Sequence, residues 1–317
     1  MKKFARITFI LLSAIALTFT TACKPDDDTP SGQNGETPQQ TTVVKKIKNV
    51  YYSYSYQQYN GGTYNSDKYL AQKWNWNNAT GLLESIEEYQ ENNIDFMLNF
   101  TYNRQNHIER IDCFKYNIFI TYSYDQTNML NKMELIYKDY ETNEEVLVAE
   151  CIFTYDTENK IKLLSVTIFE DDILKSTSKY LNPFSIMFPE QISESILRFE
   201  DNLSQNRNGK ETIYFTIQLT WQADNISQIF GSGMGESFTA TLQYDNKSSF
   251  IYGFILGQYA NATLVKNNPT MVAVTYDGRP ETAMIKYEYT AMGYPTMLTG
   301  YDADYPEDQS SLYFEYL

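Results

Sequence analysis

The stretch Phe153–Leu164 reads FTYDTENKIKLL, and two further versions of it occur, FTYNRQNHIERI at 100–111 and YSYDQTNMLNKM at 122–133. In each, a tyrosine (Tyr155, Tyr102, Tyr124) is followed by Asp or Asn, then by Asn at plus four and apolar residues at plus six and plus nine. An aromatic ring suits the end of a pleated strand. The Asp or Asn after it forms an Asx-turn with the backbone. Asn159, Asn106 and Asn128 supply the positive-φ position of a tight connection, and Ile161, Ile108 and Leu130 start the returning strand. Each copy predicts a β-hairpin.

Working outward, a looser copy runs from Trp221 through Asn225 to Ile226 and Ile229, another from Tyr289 to Gly293, and Trp76–Leu82 reads as a degenerate first member. Successive aromatics leave room for two strands each. The segments between them, such as FMLNFTYN, AECIFTYD and FTATLQYD, alternate apolar and polar residues, as antiparallel strands with one covered face do. The chain holds 28 Tyr, 18 Phe and 3 Trp, and helical periodicity is scarce. The expectation is an all-β fold, a single antiparallel β-meander forming a curved or barrel-like sheet over 46–317. Two stretches break the pattern and read as short irregular or helical connectors: 180–203, where Ile192, Ile196 and Leu203 line one helix face, and 249–269. Both are expected to fold over an end or edge of the sheet.

The N-terminus has a different logic. Lys2, Lys3 and Arg6 precede an apolar run from Ile7 to Phe19, too short to span a bilayer, so 1–22 reads as a signal peptide. Thr20-Thr21-Ala22-Cys23 resembles a bacterial lipobox, which implies lipidation of Cys23. Residues 23–45 have almost nothing to bury and read as a flexible acidic and polar tether. Lys24 with Asp26, Asp27 and Asp28 resembles the signal of surface-exported Bacteroidetes lipoproteins. The expected location is the outer membrane, lipid-anchored and facing the cell exterior, with the periplasmic face as the alternative. The formal net charge of −15 disfavours nucleic acid as a partner, because phosphates are repelled.

A family resemblance rests on IKYEYTAMGYPTML at 285–298, on Lys266-Asn267-Asn268-Pro269, on Asn182-Pro183-Phe184 and on the tyrosine-Asx hairpins. These residues resemble a family of Bacteroidetes lipoproteins of unknown function with a porin-like β fold, and the hairpin unit is similar to tyrosine-aspartate (YD) repeats. Thr290 stands where that family usually has Asp. The resemblance covers most of 46–317 and transfers no catalytic residues.

No constellation for catalysis stands out. His107 is the single histidine and lies in a hairpin loop, so neither a Ser-His-Asp triad nor a His-based metal site has its parts. Glu170-Asp171-Asp172 and Asp302, Asp304, Glu307 and Asp308 read as solvated loop acids; a carboxylate-dependent hydrolase would need two of them facing one another. GSGMGE at 231–236 lacks the Lys-Ser/Thr of a phosphate loop and reads as a hairpin tip. Cys113 and Cys151 either pair or stay as buried thiols. No cofactor or metal is expected. The candidate ligand-contact residues are aromatic: Tyr52, Tyr54 and Tyr56 on one face of VYYSYSYQQY (Val50–Tyr59), and Trp74 and Trp76 on the next strand. Core packing competes with binding as their role. The expected function is a non-catalytic binding or structural module, with a glycan bound on an aromatic platform as the alternative and another surface protein as a further candidate partner.

Overall fold

Alternation dominates the described chain. The structure is a computed structural model that describes residues 46–58, 61–90, 93–177, 188, 190–205, 212–248, 266–276 and 278–317. The expectations for 1–45, including Cys23, for Asn182-Pro183-Phe184 and for 249–265 lie outside them. The first strands are β1 (Ile47–Gln57), β2 (Thr63–Asn65), β3 (Tyr69–Trp76), β4 (Leu83–Gln90) and β5 (Asn93–Tyr102). Then come β6 (Ile108–Cys113), β7 (Ile118–Tyr124), β8 (Leu130–Lys138), β9 (Glu145–Tyr155) and β10 (Ile161–Ile168). Helices α1 (Asp171–Thr177) and α2 (Glu190–Gln205) intervene. The chain continues with β11 (Ile213–Gln222), β12 (Asn225–Gly233), β13 (Glu236–Ser248) and β14 (Asn267–Tyr276). It closes with β15 (Arg279–Tyr289), β16 (Pro295–Asp302) and β17 (Tyr305–Tyr316).

Every pairing is antiparallel, and from β3 to β17 each strand pairs with the next in the chain. β1 closes the ring by pairing with both β17 and β3, giving a barrel of 16 strands with β2 added on the end of β1. The all-β meander is therefore closed, which removes the free edges that an open sheet would expose.

Residues directly opposite one another share a face. Following the register from Ile86↔Leu98 through Phe100↔Ile111, Ile111↔Ile120 and Ile120↔Leu135 traces one apolar layer. The same layer continues through Leu164↔Ile217, Leu242↔Val272 and Leu298↔Leu312. These residues belong to one buried cluster, so in a closed sheet they face the interior. The other face carries pairs such as Thr121↔Glu134, Glu134↔Glu150 and Lys73↔Glu87. It is the outside, and it is polar.

A belt of hydrogen bonds explains the repeated tyrosine. The Tyr102 hydroxyl donates to the carbonyl of Leu83, Tyr124 to Ile108, Tyr155 to Leu130, Tyr244 to Ile226 and Tyr316 to Pro295. Tyr287 donates to Pro269, and the indole N–H groups of Trp76 and Trp221 donate to Ile47 and Ile161. The distances are 2.6–3.1 Å. In most of these bonds, the aromatic that ends one strand reaches the apolar residue that starts the return strand of the hairpin before it. All eight lie at the end of the barrel that holds Lys46 and Leu317, where the Leu317 N–H donates to the Lys46 carbonyl.

The turns of this rim follow the expected chemistry. Asn106, Asn128 and Asn159 have φ of 64°, 62° and 62°, and Gly293 has 85°. The Asp125 and Asp156 carboxylates and the Asn103 side-chain carbonyl accept backbone N–H groups two and four residues on. The Trp221 copy differs. Its turn is shorter, Ala223 takes the positive φ (52°), and Asn225 opens β12. The Asn225 side-chain carbonyl instead accepts the N–H groups of Lys266 and Asn267, fixing the start of β14. That strand begins inside the span expected for the second connector.

The first connector becomes α2, whose Ile192, Ile196, Phe199 and Leu203 recur on one buried face. The sequence reading missed α1, which starts in the acidic run Glu170-Asp171-Asp172. Phe199 meets Phe215, Phe238 and Tyr276 edge-on at centroid distances of 5.5, 5.3 and 6.4 Å. These rings belong to the inner layer near the end opposite the belt. α2 thus covers part of that mouth. In GSGMGE the turn itself is Met234-Gly235, and Gly231 belongs to β12, where an added Cβ would lie 2.0 Å from the Phe238 ring.

Candidate functional site

β1 sets the position of the tyrosine run. Tyr52 lies opposite Leu312, Tyr54 opposite Ser310 and Tyr56 opposite Tyr64, so all three point to the inner side. β1 runs from the belt toward the other end, and its last inward residues emerge at the mouth. There Tyr54 and Tyr64 are 37 % and 38 % exposed, the only part of this inner tyrosine row to reach solvent so freely.

The rings form one cluster. Tyr54 lies 6.0 Å from Tyr52, 6.3 Å from Tyr56 and 5.9 Å from Tyr64, and Tyr56 lies 5.1 Å from Tyr64. Tyr69 of β3 meets Tyr52 edge-on at 5.4 Å. The Tyr52 hydroxyl shares a hydrogen bond with the Ser310 hydroxyl. Burial pushes the Tyr69 phenol up to about 12, and Tyr64 is also raised, first by Tyr54 beside it. Lys68, in the loop between β2 and β3, turns outward instead, over the outer-wall rings of Tyr51 and Tyr313 at 4.6 and 4.3 Å.

Below the tyrosines the apolar layer is interrupted. On β3 the next inward residue after Tyr69 is Gln72, which lies opposite Glu88 of β4. Gln72 donates from Nε2 to Oε1 of Glu88 at 2.7 Å and accepts at Oε1 from the Trp74 indole at 3.1 Å. Among the described residues, the second carboxylate oxygen of Glu88 has no hydrogen-bond donor, and no lysine or arginine pairs with it. Glu88 keeps some accessible surface but lies deep among inner-layer residues, and desolvation pushes its carboxyl up to about 8. Both observations fit a side chain facing an enclosed space rather than bulk water.

Tyr52, Tyr54 and Tyr56 are therefore joined by Tyr64, Tyr69, Gln72 and Glu88, which sequence reasoning missed. A signal for Glu88 was present. Ile86 and Glu88 are two apart on one strand, so a charge shares the face of a core isoleucine. Of the two tryptophans, Trp74 joins the polar break through its indole bond to Gln72. Trp74 is buried at mid-strand, and Trp76 is half-buried in the belt with Lys46 4.9 Å above its ring.

The remaining candidates stay apart. His107 sits in its turn with the ring 5.0 Å from that of Tyr124, and burial lowers its pKa. Cys113 and Cys151 are free, buried thiols on the inner face, the former pushed up to about 12 by burial. The acidic neighbour that acts on Glu88, Asp95, is ion-paired with Lys115. Among the described residues no group of three metal-ligating side chains comes together. No helix of the described residues is long and apolar enough to cross a membrane.

No protein-family model matches this sequence, and no curated protein does. Among solved structures, the chain is similar to a porin-like protein from Bacteroides uniformis ATCC 8492, with a TM-score of 0.45 and 10 % identity over 86 % of this chain and 98 % of that one. It is also similar to a porin-like protein from Bacteroides vulgatus ATCC 8482, with a TM-score of 0.35 and 6 % identity over the same shares. A third similar structure is that of TcdB2-TccC3, with a TM-score of 0.32 and 12 % identity over 81 % of this chain and 13 % of that one.

Proposed function

We propose that this protein is a non-catalytic binding module, held at the outer membrane by a lipid on Cys23, which presents the tyrosine-lined mouth of its barrel as the binding face. The observation that carries this reading is the mouth itself. Tyr54 and Tyr64 are exposed on the inner side of a barrel whose inner layer is mostly buried or half-buried. Aromatic rings at a concave opening, with a few polar groups beneath, are the usual make-up of a small-molecule site.

The topology supports the orientation. Lys46 lies at the belt end, so the chain enters β1 on the side away from the mouth. The eleven residues of β1 put about 35 Å between the two, at roughly 3.3 Å per residue. A catalytic role lacks a second group. Asp95, the carboxylate that acts on Glu88, is itself ion-paired with Lys115. The polar outer wall supports residence beside the bilayer rather than across it, because a lipid-facing band must be apolar.

The test is a small-molecule panel of neutral sugars, amines and carboxylates, followed by NMR of tyrosine-ring resonances. The reading expects saturable shifts at Tyr54 and Tyr64 that vanish in a Tyr54→Ala, Tyr64→Ala double variant. Shifts confined to the outer-wall rings of Tyr51 and Tyr313 would contradict it.

A further inference from the structure

We infer that the mouth takes a cationic ligand, a small ammonium or quaternary ammonium group, with Glu88 as its counter-charge and the tyrosine rings as its walls. This rests on the binding-face reading above and names its ligand class.

Three observations converge on it. The first is the missing partner. A carboxylate enclosed by protein is costly unless a cation or several donors accompany it. Glu88 has one amide donor, and among the described residues its second oxygen has none. The second is the wall. Five tyrosines of β1, β2 and β3 line one side of the opening, and aromatic faces attract cations through their quadrupole, more strongly where water is thin. The third is the charge of the surroundings. Lys68 lies against the outer wall, and Asp67 is near enough to Tyr64 to help raise its phenol. The chain as a whole carries −15. With Lys68 turned outward and Asp67 close to Tyr64, this side of the mouth favours a cation over an anion.

The titration behaviour follows from the same geometry. The titratable groups that interact with Glu88 are Asp95 on β5 and Cys113 on β6, with Lys115 the cation beside Cys113. Tyr69 and Cys113 are pushed up to about 12 and stay protonated through pH 9, while Asp95 stays with Lys115. Glu88 is then the group that titrates near pH 8. A cation binds the ionised form, so its affinity rises with pH. Between pH 7 and pH 9 the ionised fraction grows roughly tenfold, and so does the affinity.

The experiment titrates the full chain with tetramethylammonium and, separately, with methyl glucoside, in wild type, Glu88→Gln and Tyr54→Ala, Tyr64→Ala. Tetramethylammonium is expected to bind wild type about tenfold tighter at pH 9 than at pH 7, and to lose that dependence together with at least tenfold in affinity in Glu88→Gln. Glucoside binding that needs the tyrosines but not Glu88 would overturn the cationic reading and leave the binding face intact. Failure of both probes to bind at the tyrosines would remove both. The pH dependence is read on wild type alone, so the test stands even if a variant misfolds.

Discussion

Tyr124 shows what a single residue does in this barrel. Its ring is packed against the inner layer, and its hydroxyl satisfies the Ile108 carbonyl at 2.7 Å, at the point where β6 begins. Removing the hydroxyl leaves that carbonyl short of a donor, which costs about 1–2 kcal/mol. Tyr124→Phe is expected to lower unfolding stability by that amount in urea titrations with little change in slope. An unchanged midpoint would mean that water replaces the bond and that the belt adds nothing. Glu88 makes the opposite case. Its carboxyl lies at about 8 in the folded chain against an ordinary 4.5, so folding takes up a proton. Its favourable contribution is complete below about pH 4.5 and is lost as pH rises through about 8. Glu88→Gln should therefore be near neutral at pH 5 and stabilising by on the order of 1–3 kcal/mol at pH 9. Equal effects at the two pH values would show that the side chain is solvated.

The elements explain why the hairpins were legible and the mouth was not. The signal in FTYDTENKIKLL is local. Asp156 captures its own turn, Asn159 takes the left-handed backbone, and Tyr155 ends the strand, all within a few residues. The far end of the Tyr155 bond, Leu130, lies 25 residues back, and nothing in the sequence marks a carbonyl as an acceptor. α2 was legible for the same local reason, from Ile192, Ile196 and Leu203 on one face, whereas its site of docking was not. That site depends on interlocking shapes. Gly231 makes room for Phe238, which in turn meets Phe199. Gly231→Ala is expected to cost about 1–3 kcal/mol by overpacking, and Phe199→Ala about 3–5 kcal/mol by leaving a cavity. Thermal unfolding of the two variants and their combination checks the contact. If the losses simply add, the helix and this wall are uncoupled.

At the scale of the whole molecule, closure was the least legible feature. The sequence carries a curved meander, but pairing of β1 with β17 joins residues such as Tyr52 and Leu312 from opposite ends of the chain. Closure also decides which face is inside. Alternation alone permits either an apolar exterior, as in a membrane-spanning barrel, or an apolar interior. Here Ile86, Leu98, Ile111, Ile120 and Ile217 are inside and fully buried, while Lys132, Glu134 and Glu150 meet on the outer wall. An exterior of that kind is hydrated, so membrane attachment, as proposed above, would rest on lipidation of Cys23 alone. Detergent phase partition of the lipidated chain against a Cys23→Ser chain tests this most directly. The lipidated protein is expected to enter the detergent phase, and Cys23→Ser to stay in the aqueous phase, folded and monodisperse without detergent. A Cys23→Ser chain that still partitions into detergent, or needs it to remain folded, would contradict the apolar-in barrel.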